Sequence, residues 1–113
     1  MIDIEKRIQW YKTNLTKLSD LVDKGRLTPQ ERTEAQAILK RIKSNFQEDV
    51  RVANSVRMQA TLTPEEKEYY TVVHEASTRL RVKTNSDPIR AHWSEELYDC
   101  FGDFDFYLQK HQT

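Results

Sequence analysis

Apolar residues recur through the first part of the chain at Ile4, Ile8, Tyr11, Leu15, Leu18 and Val22. Steps of three and four put them on one side of a helix, with Trp10 and Leu21 widening the stripe. The pattern predicts a helix over about residues 3–24, stopped by Gly25. Ala35, Leu39, Ile42, Phe46, Val50 and Ala53 continue the same rhythm in a second segment, with Val56 and Ala60 extending it. No Gly or Pro intervenes between Pro29 and Pro64, so this helix is expected to run over 29–60 and to span roughly 45 Å. Tyr69, Val73, Ala76 and Leu80 mark a third helix over 64–82. Ile89, Trp93, Leu97, Cys100, Phe101, Phe104 and Leu108 mark a fourth over 88–110.

The joints between these segments carry start signals. Thr28-Pro29 with Glu31 and Thr63-Pro64 with Glu66 each offer a threonine cap, a proline where its missing N–H costs nothing, and a glutamate able to complete a capping box. Ser86-Asp87-Pro88 repeats the cap and the proline but has Arg90 in place of the glutamate. Thr84-Asn85-Ser86-Asp87 reads as the preceding turn. Short connections make sequential helices antiparallel neighbours. The expected fold is therefore all-α: an antiparallel up-down four-helix bundle with an overlong second helix, built as one domain over residues 1–113. Side chains on that helix shrink after Val50, and its far end outruns its neighbours. Val50, Ala53 and Val56 are thus expected to mediate self-association into a homo-oligomer, a dimer in its simplest form.

Composition adds limits. The 113 residues hold two glycines and three prolines, which leaves little for the tight turns of a sheet protein. Eighteen basic and eighteen acidic side chains cancel, so no global charge calls for nucleic acid or a membrane surface. The mean hydropathy of −0.83 is polar enough for the core to be completed by a partner. No apolar run approaches the roughly 18–20 residues of a membrane span. A charged N-terminus without a secretory stretch and a single cysteine point to a cytoplasmic setting. Charge is uneven along the chain: residues 87–113 carry six acids against two bases, whereas residues 1–27 and 28–60 each carry six bases against four acids.

Catalytic and metal chemistry finds little support. The positions three before His74, His92 and His111 hold Thr71, Ile89 and Leu108, so the paired glutamate–histidine motif of di-metal bundles is absent. His92, Glu95, Glu96, Asp99 and Asp103 line one side of the last segment and read as a solvated acidic face. Cys100 lies on the inner stripe and reads as a buried thiol. No nucleophile elbow, phosphate-cradling loop or zinc spacing occurs. The chain is expected not to be an enzyme and to need no metal or cofactor.

Two binding readings remain. Six of the eleven aromatics fall between Trp93 and Tyr107, in the same stretch as the surplus acid. Rings among acids suit a surface that anchors by burial and steers by charge. Tyr98, Asp99, Asp103, Asp105, Phe106 and Tyr107 are the expected contact set for another protein, which the chain would serve as a small adaptor or inhibitor. Against this, a phase reset at Gly102 would return Phe106 to the core. The alternative is a nucleic-acid or nucleotide binder using Lys40, Lys43, Arg51, Arg79 and Arg81. Tyr70 and His74 form a mixed polar line on the third helix that could join it.

Overall fold

The computed structural model describes residues 3–111, and among these the chain is helical with no strand. Five helices follow in order: α1 (Ile4–Val22), α2 (Pro29–Ala53), α3 (Val56–Gln59), α4 (Pro64–Arg79) and α5 (Trp93–Lys110). α1 packs on α2 and α5, and α4 packs on the same two, which makes a helical bundle.

The starts follow from local chemistry. Asp3 accepts from the Lys6 amide at 3.0 Å and caps α1. At α2 the Glu31 amide donates to Thr28 Oγ1 at 3.1 Å, and the Thr28 amide donates to Glu31 Oε1 at 3.1 Å. At α4 Thr63 and Glu66 repeat this box at 3.2 and 3.0 Å. Each box satisfies two backbone donors that a helix start leaves open.

Three boundaries differ from the apolar pattern. The second helix stops at Ala53 rather than continuing to residue 60. Asn54 ends it, and Ser55 turns extended to accept from the Met58 amide at 3.2 Å, starting the one-turn α3. Short polar side chains that bond nearby backbone break a helix without any Gly or Pro. The third helix ends at Arg79 instead of residue 82. The last helix begins at Trp93 rather than Pro88, because His92 adopts the left-handed φ of 52°. Asp87 still accepts from the Ile89 amide at 3.0 Å, but the turn it caps goes no further than His92. Residues 80–92 thus form an irregular strap across the bundle.

The core joins the predicted stripes. Tyr11 from α1 packs against both Phe46 of α2 and Phe104 of α5, with ring centroids 4.8 and 5.0 Å away, and the two phenylalanines stand 6.4 Å from each other. Leu15, Leu39, Val73, Trp93 and Leu97 are buried around that stack. Side chains answer much of the strap. Lys43 Nζ donates to the Val82 carbonyl, Gln36 Nε2 to the Ser86 carbonyl at 3.0 Å, and Trp93 Nε1 to Ser86 Oγ at 3.0 Å. No helix among the described residues is long and apolar enough to cross a membrane.

Candidate functional site

α5 runs unbroken through Gly102, so its phase is not reset there. Trp93, Leu97, Cys100, Phe104 and Tyr107 face the core. The opposite face carries Tyr98 and Phe106, which are 78% and 71% exposed. Tyr98, Gly102 and Phe106 follow one another at four-residue steps in one line along the helix. A side chain at Gly102 would meet nothing within 4 Å. The outer face is therefore two rings flanking an open saddle.

The acids of α5 divide into two groups. Asp103 Oδ2 accepts from Arg79 Nε at 2.8 Å, Asp105 pairs with Lys12 at 2.7 Å, and Glu96 Oε1 accepts the Arg81 and Val82 amides. These carboxylates fasten α5 to its neighbours. Burial holds the Asp103 carboxyl above its ordinary range even though Arg79 pulls it down. Among the described residues no side-chain hydrogen bond or ion pair engages Glu95 or Asp99. Both stand beside Tyr98, at the edge of an open cleft of about 720 Å³ between α1 and α5. Thr16, Ser19 and Asp23 supply its other wall.

Of the six residues expected to contact a partner, Tyr98, Asp99 and Phe106 lie together on the outer face. Asp103 and Asp105 are half-buried in ion pairs. Tyr107 is 5% exposed and packs against the His111 ring at 4.4 Å, so it belongs to the core edge. The three expected self-association positions differ in exposure. Val50 lines a cleft of about 490 Å³ between α2 and α4, Ala53 is half-buried, and Val56 stands 88% exposed on α3 next to Met58 at 47%.

Of the basic set, Lys43 and Arg51 line the α2–α4 cleft together with Gln47 and Asn54. Lys43 is held by the Val82 carbonyl, where burial lowers its pKa, and Arg79 by Asp103. Arg51 lies 3.7 Å from Glu48, both exposed, while Lys40 and Arg81 reach solvent. Tyr70 is buried, and burial raises its phenol. His74 is exposed and shares with Tyr70 a cleft of about 250 Å³. Cys100 Sγ donates to the Ala76 carbonyl at 3.1 Å, and burial pushes its thiol up to about 12. No cluster of three or more His, Cys, Asp or Glu side chains placed to hold a metal occurs among the described residues.

One constellation escaped the sequence reading. Asp49 is buried on α2 and accepts from Tyr11 Oη at 2.7 Å, Tyr69 Oη at 2.9 Å and Arg7 Nη1 at 2.9 Å. Its signal was an acid on the apolar stripe, three residues after Phe46 and seven after Ile42. Three donors use its lone pairs, and the cluster ties α1, α2 and α4 together.

Compared with known proteins, the chain matches no family model, no curated protein and no solved structure.

Proposed function

We propose that this protein is a non-catalytic docking module, a small adaptor or inhibitor whose α5 face takes a basic, apolar segment of another protein. The observation that carries this is the pairing of exposed Tyr98 and Phe106 around Gly102 with the unengaged Glu95 and Asp99. Burying such rings supplies affinity, while the neighbouring carboxylates select a cationic partner. A cytoplasmic setting fits the single free thiol of Cys100. The reading includes an up-down antiparallel order for the four long helices. It is supported by Arg7–Asp49 and Lys24–Glu31 linking opposite ends of α1 and α2, and by Arg79–Asp103 and Glu68–Lys110 doing the same for α4 and α5.

The test is fluorescence anisotropy with a synthetic amphipathic helix bearing leucines flanked by arginines. Wild type binds it with an affinity that falls as salt rises. Phe106→Asp weakens binding by about tenfold or more, and Lys43→Glu leaves it unchanged. Equal binding by wild type and Phe106→Asp removes the proposal. Nucleic-acid or nucleotide binding through α2 and α4 is the weaker reading, because Lys43 is already held by the Val82 carbonyl and Arg79 by Asp103. A salt titration against DNA and RNA decides it, since phosphate binding loses affinity steeply with salt.

A further inference from the structure

The large exposed apolar side chains among the described residues fall into two pairs: Val56 with Met58, and Tyr98 with Phe106. Their charge surroundings are opposite. Residues 50–64 contain Arg51 and Arg57 and no acid, whereas residues 91–109 contain five acids and no Lys or Arg. Arg57 has no side-chain partner among the described residues, and Arg51 meets only Glu48 at 3.7 Å on the surface, a contact that contributes little. Glu95 and Asp99 are equally unengaged.

Shape follows the same division. α3 is a single turn with no buried residue, and its Val56, 88% exposed with the pliable Met58 beside it, serves as the knob. The α5 face is the reverse, with an open position at Gly102 between two rings. We propose that the occupant of the α5 face is a second copy of this chain, which seats Val56 and Met58 over Gly102 and sets Arg51 and Arg57 against Glu95 and Asp99. This rests on the reading of α5 as a docking surface and names its partner.

The contact is head-to-tail. α3 packs on α2, and α2 and α5 each pack on both α1 and α4, so knob and saddle sit on opposite corners of the bundle. One copy cannot cover its own face, and each copy joined leaves one knob and one saddle free. Two small patches fall short of the roughly 800 Å² per partner of a stable interface, so association is weak and sensitive to salt.

Sedimentation velocity on the full chain tests this. The wild-type mass rises with concentration at about 50 mM salt and returns toward the 13.5 kDa chain at about 500 mM. Val56→Glu and Phe106→Asp, both at exposed positions, each stay monomeric. Mixed in equal amounts they form a species of twice the chain mass that grows no further, because each supplies the surface the other lacks. Arg57→Glu weakens association by about tenfold, and Arg57→Glu combined with Asp99→Arg restores it. A wild-type chain that stays monomeric, a mixture that stays monomeric, or a single variant that dimerises alone overturns the inference. A monomeric wild type that still binds the arginine-rich peptide overturns this inference and leaves the docking reading standing. A monomeric wild type that binds no peptide overturns both.

Discussion

At Asp49 two tyrosine hydroxyls and one guanidinium converge on a single buried carboxylate, and the tyrosines link the fold to alkaline pH. Burial, reinforced by the charge of Asp49, raises the phenols of Tyr11 and Tyr69 far above their ordinary value of 10.0. The unfolded chain releases these protons near pH 10 while the folded chain keeps them. The unfolded state then binds fewer protons, so stability is complete below pH 10 and falls as pH rises above it. Urea midpoints are expected to drop between about pH 8 and about pH 11, and the drop is expected to shrink in the Tyr11→Phe, Tyr69→Phe double variant. At neutral pH each of these changes costs about 1–2 kcal/mol, because a buried acceptor loses a donor. Asp49 was visible in the sequence as an acid on an apolar stripe. Its donors were not: they lie 42, 38 and 20 residues away, and helical periodicity carries no information across such separations.

The helices show which signals are local enough to read. Thr28 and Thr63 form the capping boxes their spacing implied, since every atom involved lies within four residues. Thr28→Ala and Thr63→Ala are each expected to cost about 1 kcal/mol in denaturant unfolding, while Thr33→Ala, exposed within α2, changes little. Two of the boundaries that were misread lack the usual punctuation. Asn54-Ser55 and His92 interrupt helices without Gly or Pro, through side-chain competition for backbone and a left-handed residue. Apolar spacing continues through such points: Val56 stays on the α2 rhythm although it no longer belongs to that helix. Phe106 was the opposite case. Its outward position follows from ordinary helical phase, and Gly102 did not alter that phase.

Across the whole molecule the rings of α5 do different work according to which side they face. Phe104 completes a stack with Tyr11 and Phe46 that joins three helices, so Phe104→Ala is expected to cost about 3–5 kcal/mol. Phe106→Ala, two residues later, is expected to stay within about 0.5 kcal/mol in the same urea titration. Equal costs would mean that α5 is rotated from the position described. The bundle itself was legible because four apolar stripes need one another. The division of acids into fastening and unengaged groups was not, because it depends on where Arg79 and Lys12 arrive. The strap over residues 80–92 has a practical outcome for cutting and grafting. Its carbonyls and amides are answered from α2 and α5 by Gln36, Lys43 and Glu96, so a protease or an inserted peptide would meet resistance at the least helical stretch of the chain. The turn around Gly25, exposed and spanned only at its surface by the Lys24–Glu31 pair, is where the chain would accept a nick or a graft.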